Sequence, residues 1–241
     1  MKFLQKLAAK EKDLYSPNAV TVAFLGDSVT QGCFECYIDE QGRVETVFDT
    51  EQSYSAKLRE LLQTLYPRAQ INIVNSGISG DGTVKGLERL DDAVLRYKPD
   101  LTVVSFGLND SGRGLDGIDG YRARLGEIFS RLTESGSEVI FLAPCVMNSY
   151  VSAAITEEKL RKIAENTQHA QNDGVLGRYF EAAHEVANEY GVRFCDCYSK
   201  WMRMQKAGVD TTALLANRIN HPTRKMHWLL ANTLLDTVFE D

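Results

Sequence analysis

Apolar positions recur along the chain with two different periods. Five short runs are predominantly apolar without strict alternation and rich in β-branched or aromatic residues, which is typical of strands that are buried on both faces. These runs are residues 21–25, 71–75, 101–106, 138–143 and 192–197. Between them the apolar residues follow helical spacing, most clearly in 53–66, 84–97, 119–134, 175–190 and 223–239. Phe3, Leu4, Leu7 and Ala8 predict a further short amphipathic helix at the N-terminus.

Strands and helices alternate from one end of the chain to the other. This order predicts an α/β fold, a three-layer α/β/α sandwich around a five-stranded parallel sheet. A length of 241 residues fits one such domain over 1–241. Ligands of these sheets bind at the carboxyl ends of the strands, so we expect the functional residues in the loops that follow the strands.

Two segments, 33–52 and 146–174, are longer than the fold needs. We expect both to flank the site, the first as a hairpin.

Charge and hydropathy exclude several classes of protein. The formal net charge is −6, and the basic residues are scattered. Binding of nucleic acid needs a concentrated positive face, so we expect no nucleic-acid partner. We expect no membrane partner either, because no apolar run approaches the roughly 18–20 residues of a membrane span. Lysines at positions 2, 6, 10 and 12 interrupt any apolar signal-peptide core, which favours a cytoplasmic protein.

The five cysteines form an odd set with two short spacings. An odd count agrees with a reducing compartment rather than a disulfide framework. Cys33 and Cys36 together with Cys195 and Cys197 would make four metal ligands. However, the C-x-C spacing is tight for a structural zinc site, and the first and fifth strands are expected to lie apart. We therefore expect free thiols, with no metal and no cofactor.

Small and polar residues follow three of the predicted strands. Asp27 and Ser28 follow the first strand, the glycine-rich stretch "GISGDG" with Gly80 follows the second, and Asn109 follows the third. Each loop alone is consistent with an ordinary turn. The stretch "GISGDG" also allows phosphate binding through backbone amides, but it matches neither G-x-G-x-x-G nor a pattern that ends in G-K-[ST]. A hydroxyl and an amide at one sheet edge point instead to a nucleophile and an oxyanion donor.

The four histidines occupy different surroundings. His184 and His227 fall in predicted helices, where packing or solvent exposure is the simpler interpretation, and His169 lies in a polar run without an obvious partner. His221 precedes Pro222, which keeps it out of helical conformation on the loop that enters the last helix. An N-terminal capping role is the alternative there. A fixed position in a loop suits a general base.

Taken together, these loops resemble the SGNH (GDSL) hydrolase superfamily over nearly the whole chain. The similarity is greatest to its lysophospholipase L1/thioesterase I-like branch, through "GDSVTQG", "VNSGISGDGT", "SFGLNDSGRG" and the His221-Pro222 pair. The resemblance implies the flavodoxin-like fold of that superfamily. It also implies that Ser28 is the nucleophile and that His221 is its base. The oxyanion donors would then be the Ser28 and Gly80 backbone N–H groups and the Asn109 side-chain amide.

One position departs from the family pattern. The family usually has Asp three residues before the catalytic histidine, and Arg218 stands there in this chain. Arginine cannot accept the imidazole N–H. Either a backbone carbonyl within 217–220 orients His221, or a side chain such as Asn217 does so. We expect Asp27 to shape the nucleophile loop and Asp196 to have a structural role.

The resemblance implies a serine esterase that works through an acyl-serine intermediate. No long apolar lid is visible, which argues against bulky lipid substrates, so we expect a short-chain carboxylic ester such as an acetyl ester on a carbohydrate. Phe34, Tyr37, Phe48 and Tyr150 are candidates to line the pocket. The alternative is a noncatalytic carbohydrate-binding or small-molecule-binding domain on the same fold, in which Arg218 marks lost catalysis.

Overall fold

The central sheet of the protein is parallel and has helices on both faces. The structure is a computed structural model that describes residues 1–15 and 17–240. Within these ranges the strands are β1 Val20–Gly26, β2 Cys33–Ile38, β3 Val44–Phe48, β4 Ile71–Gly77, β5 Leu101–Ser105, β6 Glu138–Ala143 and β7 Arg193–Asp196. The large sheet has the order β4-β1-β5-β6-β7, and β2 and β3 pair separately. The predicted α/β/α sandwich with a five-stranded parallel sheet is therefore confirmed.

Strand β1 lies at the point where the order of the sheet reverses. It pairs in parallel with β4 on one side and with β5 on the other. Gly26, its last residue, lies opposite Gly77 of β4 and Ser105 of β5. The three loops that carry the candidate residues therefore leave the sheet side by side. This is the switch point at which such sheets bind ligands.

The helices agree with the helical spacing in most places. They are α1 Lys2–Lys12, α2 Ser28–Gln31, α3 Tyr54–Leu65, α4 Thr83–Glu88, α5 Leu90–Ala93, α6 Ile118–Glu134, α7 Glu158–Asn172, α8 Val175–Glu189, α9 Tyr198–Lys206 and α10 His227–Phe239. Helices α2, α7 and α9 were not predicted. His169, for which the sequence offered no obvious partner, lies in α7, where its Nδ1 is 3.7 Å from Asp173 Oδ2.

Two predicted helices differ in their extent. The segment 84–97 is not one helix: it breaks at Arg89 (φ −100°, ψ 5°) and again at Val94. The last helix begins at His227 rather than at 223, because the Thr223 N–H donates to the Leu214 carbonyl and Pro222 bridges Leu215. These contacts keep residues 222–223 out of the helix, and a turn over 224–226 then leads into it.

The central strands form the core. Strand β5 is buried along its whole length, and β1 and β6 are nearly so, which explains why their sequences are continuously apolar. Helices α3, α6, α8 and α10 cover the sheet with apolar faces. Among the described residues, none of the helices is both long enough and apolar enough to cross a membrane.

Gly77 lies where β4 meets α2, and its replacement should disturb both. A Cβ at this position would come within 2.7 Å of the Gln31 Cα and of the Thr30 carbonyl carbon. Because these are backbone atoms, they cannot move as a flexible side chain would. We expect Gly77→Ala to destabilise the protein by about 1–3 kcal/mol, the usual cost of overpacking. Gly112→Ala is the matched control, since nothing lies within 4 Å of its added Cβ. Urea unfolding of both variants measures the difference, and equal losses would contradict this account.

Candidate active site

Ser28 is the first residue of α2, directly after the end of β1. The preceding Asp27 caps this short helix: its Oδ1 accepts the Val29 N–H at 2.9 Å. The helix ends at Gly32, which has the left-handed conformation (φ 91°) that glycine adopts readily. Ser28 itself is 4% exposed. Strand, cap and one helical turn thus place the hydroxyl in a nearly closed position at the sheet edge.

Asp27 caps the turn that carries Ser28, and its own charge is disfavoured. It is buried, and burial raises the pKa of its carboxyl to about 7. The carboxylate of Asp110 raises this pKa further, while the Val29 N–H opposes the rise. A carboxyl in this state caps the helix and is not a ready source of negative charge for His221.

His221 contacts both the serine and a backbone carbonyl. Its Nε2 lies 2.9 Å from Ser28 Oγ, and its Nδ1 lies 2.9 Å from the carbonyl oxygen of Phe34. A carbonyl can only accept, so this bond places the ring proton on Nδ1 and leaves Nε2 to accept from the hydroxyl. The imidazole is therefore in the tautomer that a general base needs.

The acceptor for the imidazole N–H is neither a backbone carbonyl within 217–220 nor the Asn217 side chain, the two candidates from the sequence. Phe34 lies in β2, 187 residues before His221, and not within 217–220. Asn217 instead organises the backbone of the histidine loop. Its Oδ1 accepts the N–H groups of Ile219, Asn220 and His221 at 3.0, 2.9 and 3.0 Å. Asn217 thus shapes the site through the backbone and does not contact the ring.

Arg218 and Asp196 both lie away from the imidazole's hydrogen bonds. Arg218 has a left-handed backbone (φ 59°), and its guanidinium donates to the Ala213 carbonyl. Asp196 accepts the Ser199 N–H at 2.8 Å at the start of α9, which is the structural role that we expected. In the family, the carboxylate that orients the histidine would stand at the position of Arg218. In this protein the residue at that position, Arg218, bonds the Ala213 carbonyl instead of the imidazole.

Burial controls the protonation of His221. The residue is 5% exposed, and burial lowers the pKa of its imidazole to about 4. The bond to the Phe34 carbonyl and the carboxylate of Glu35 both oppose this effect but do not outweigh it. At neutral pH the ring is uncharged and able to accept a proton.

Gly80 and Asn109 lie on the two neighbouring loops. Gly80 is exposed with φ 82°, and a Cβ there would meet nothing within 4 Å, so its conformation rather than lack of space calls for glycine. The Asn109 amide nitrogen donates to the Asp81 carbonyl at 2.7 Å. Since an amide nitrogen carries two hydrogens, this bond fixes the direction of the second. The two loops are thereby joined at the candidate oxyanion site.

Arg89 holds this edge of the sheet together, and we did not predict its role. Its guanidinium donates to Asp81 Oδ2 at 2.8 Å, to the Ser76 carbonyl at 2.6 Å and to the Gly26 carbonyl at 3.0 Å. It therefore connects the ends of β1 and β4 to the loop of Gly80. An arginine in a helical segment gives no sequence signal for such inward bonds. The break of the helix at this residue is the local sign that it turns toward the sheet.

The predicted hairpin is present, but its aromatic residues do not form a common wall. Phe34 is fully buried, whereas Tyr37, Phe48 and Tyr150 are 42–52% exposed. Tyr150 donates to Asp210 at the surface. The hairpin contributes a main-chain carbonyl to the site, which no aromatic pattern indicates.

The cysteines do not form disulfides, and two of them contact the histidine loop: Cys36 Sγ accepts from the Asn217 amide, and the Cys145 thiol donates to the Asn220 carbonyl. All five belong to the described part of the chain, and all five are free thiols. Burial raises the pKa of Cys33 to about 11, which disfavours its thiolate. Within the described residues, no group of three or more His, Cys, Asp or Glu side chains is placed to hold a metal ion.

Comparison with known proteins identifies the family. The sequence profile of the GDSL-like lipase/acylhydrolase family matches residues 24–229. The chain belongs to this family. An acetylxylan esterase from Geobacillus stearothermophilus is 25% identical over 222 residues, which cover 88% of this chain and 90% of the relative. An arylesterase from Vibrio mimicus is 30% identical over 100 residues, 42% of this chain and 48% of that protein.

Solved structures agree on the fold. Axe2, an acetylxylan esterase from Geobacillus stearothermophilus, superposes with a TM-score of 0.65 at 22% identity, over 92% of this chain and 95% of its own. LAE5, an α/β hydrolase enzyme from the metagenome of Lake Arreo, Spain, gives a TM-score of 0.64 at 22% identity, over 91% and 96%. The family confirms the predicted class of this protein, a carboxylic ester hydrolase.

Proposed function

We propose that the protein is a serine esterase that removes short acyl groups, above all acetyl groups, from carbohydrates. One observation carries this proposal: Ser28 Oγ lies 2.9 Å from Nε2 of a histidine whose other nitrogen is bonded to a carbonyl. A hydroxyl that shares its proton with a correctly oriented base is an activated nucleophile. The acetylxylan esterase among the relatives supports a carbohydrate ester as substrate.

The reaction proceeds in two steps at Ser28. In the first, the Ser28 oxygen attacks the ester carbonyl carbon while His221 Nε2 takes its proton. The tetrahedral intermediate collapses, the alcohol leaves with that proton, and an acyl-serine remains. In the second step, water attacks the acyl carbon, His221 again takes and returns a proton, and the free acid is released.

Three donors are assigned to the negative oxygen of the tetrahedral intermediate. They are the backbone N–H groups of Ser28 and Gly80 and the second amide hydrogen of Asn109. Such donors stabilise developing charge without rearranging when they are held in advance. The bond from Asn109 to Asp81, and the bonds of Arg89 behind it, provide that hold.

Burial of the catalytic pair favours a small acyl group. Ser28 and His221 are 4% and 5% exposed, so little of the nucleophile is open to solvent. Gly80, in contrast, is exposed. We therefore place the acyl group in the closed part of the site and the alcohol toward the open loop of Gly80.

We also propose that residues 1–241 act as one catalytic domain, with the segments 33–52 and 146–174 beside the site, and that the protein works in the cytoplasm. Five free cysteines support a reducing compartment. The hydrogen bonds between the hairpin and the histidine loop support a single functional unit.

Hydrolysis of p-nitrophenyl acetate and of acetylated xylo-oligosaccharides tests the proposed function. We expect turnover of both, reaction of Ser28 with a fluorophosphonate probe, and loss of both activities in Ser28→Ala. A series of p-nitrophenyl esters should favour the shortest acyl chains. Ser130→Ala is the control: Ser130 is a half-buried serine on α6 whose hydroxyl donates to Glu134. If the wild type shows neither turnover nor labelling, the noncatalytic binding domain is the better interpretation.

Loss of the Asn109 amide should reduce turnover in the folded enzyme. We expect Asn109→Ala to lower kcat by about 10²–10³, the usual effect of removing one oxyanion donor. Asn72→Ala, which removes an exposed amide on β4, should leave kcat unchanged. Steady-state kinetics decide the matter, with circular dichroism to verify folding. A folded Asn109→Ala enzyme with normal kcat would remove this residue from the oxyanion site.

The acid limb of the pH profile should reflect the buried histidine. Burial lowers the pKa of His221 from 6.5 to about 4, so the imidazole stays neutral at every pH above that value. A general base must be neutral, and kcat/KM should therefore fall only as the pH drops through about 4. The measurement is kcat/KM from about pH 3.5 to 8, limited to the range in which circular dichroism shows a folded protein. An acid limb near 6.5 would show that the imidazole is not desolvated as the structure has it.

A further inference from the structure

The carbonyl that orients His221 belongs to a part of the fold that the central sheet does not hold. Phe34 lies in β2. Within the part of the chain that the structure describes, β2 pairs only with β3, and these two strands form a separate antiparallel sheet. A two-stranded hairpin is marginally stable by itself. The Phe34 carbonyl therefore keeps its place through contacts between the hairpin and the rest of the protein.

Arg224 makes several of these contacts. Its Nη1 and Nη2 donate to the two carboxylate oxygens of Glu35 at 2.7 and 3.1 Å, and its Nε donates to Asp49 Oδ2 at 2.9 Å. Its guanidinium carbon lies 4.2 Å from the centroid of the Phe34 ring. One side chain thus contacts the residue that supplies the carbonyl, the next residue along β2, and the residue that follows β3.

Arg224 is also tied to the imidazole through the chain. It follows His221 by three residues, with Pro222 between them. Pro222 bridges Leu215, and the Ala216 N–H donates to the His221 carbonyl at 2.6 Å, so this segment has little freedom. The guanidinium therefore links the loop that holds Nδ1 to the strand that holds its acceptor.

The geometry lets these ion pairs fix the position of the hairpin better than an ordinary surface pair would. The side chains of Arg224, Glu35 and Asp49 are 34%, 47% and 35% exposed, and isolated pairs at such exposure contribute little. Bidentate binding of one carboxylate, a second carboxylate on Nε and stacking on an aromatic ring are the conditions in which arginine fixes geometry. Lysine provides a single point charge and cannot reproduce this set of contacts.

We propose that Arg224 is a positioning residue for the Ser28–His221 pair, and that it acts by fastening Phe34 and Glu35 of β2 to the histidine loop. This inference rests on the proposed esterase function. Glu35 does not replace the family's aspartate as a direct partner of the ring, because both of its oxygens bind Arg224 and the Nδ1 proton goes to the Phe34 carbonyl. The ion pairs of Arg224 fix the position of the hairpin, and the hairpin in turn fixes the Phe34 carbonyl.

Kinetics of Arg224→Ala and Arg224→Lys test the proposal. A displaced reacting group commonly costs up to about 100-fold in rate, so we expect kcat of Arg224→Ala to fall about 10- to 100-fold with KM nearly unchanged. Arg224→Lys should recover part of this loss at most. Arg43→Ala is the matched control: Arg43 pairs with Asp39 at the tip of the same hairpin and is 66% exposed, so its kcat should stay at the wild-type value. Wild-type kcat in both Arg224 variants would overturn the proposal.

The tautomer of His221 gives a readout that does not depend on turnover. Nitrogen-15 NMR of the ring distinguishes a proton on Nδ1 from one on Nε2. We expect a single Nδ1–H form in the wild type and in Arg43→Ala, and a mixture of tautomers in Arg224→Ala. An unchanged tautomer in folded Arg224→Ala overturns the proposal. If Arg224→Ala does not fold, Arg224→Lys decides by the same two measurements. If the wild type has no esterase activity, the proposed function fails and the NMR comparison alone decides this inference.

Discussion

An imidazole accepts a proton from a serine hydroxyl only if the facing nitrogen is bare and the other nitrogen carries the hydrogen. The Phe34 carbonyl imposes this arrangement on His221 because it can accept but not donate, and it lies 2.9 Å from Nδ1. The bond joins three different parts of the fold. The serine belongs to the switch point of the sheet, the histidine to the loop before α10, and the carbonyl to a hairpin outside the sheet.

A carbonyl fixes the tautomer but contributes less than a carboxylate once the imidazole is charged. In a serine–histidine–aspartate site the carboxylate stabilises the imidazolium that forms during attack. Here the ring is buried, which lowers its pKa to about 4, and the nearby Glu35 offsets only part of this effect. In the proposed mechanism, the charge that develops on His221 is therefore stabilised by a dipole and a more distant carboxylate. That mechanism then relies more on the proposed oxyanion donors and on the fixed orientation of Ser28 and His221.

The elements that depend on a local pattern of residues could be predicted from the sequence. The contacts that involve backbone atoms distant in the chain could not. Buried parallel strands have a continuous apolar signature, so the five strands and the loops with Ser28, Gly80 and Asn109 were placed correctly. The break at Arg89 was missed because bonds to the carbonyls at the sheet edge override helical spacing. The Phe34 carbonyl could not be predicted because every residue has a backbone carbonyl. The residue type therefore does not indicate which carbonyl accepts the histidine N–H.

These observations change the meaning of Arg218. The replacement of the family's aspartate left open what orients the histidine, with lost catalysis as the alternative. A decayed site would not be expected to keep its histidine in the tautomer that a general base needs. The left-handed backbone of Arg218 turns its side chain toward the Ala213 carbonyl, and the ring keeps both of its hydrogen bonds. Once the hairpin supplies the acceptor, the aspartate is no longer needed to orient His221. Arg218 is therefore compatible with a histidine whose ring is oriented from the hairpin and bonded to Ser28.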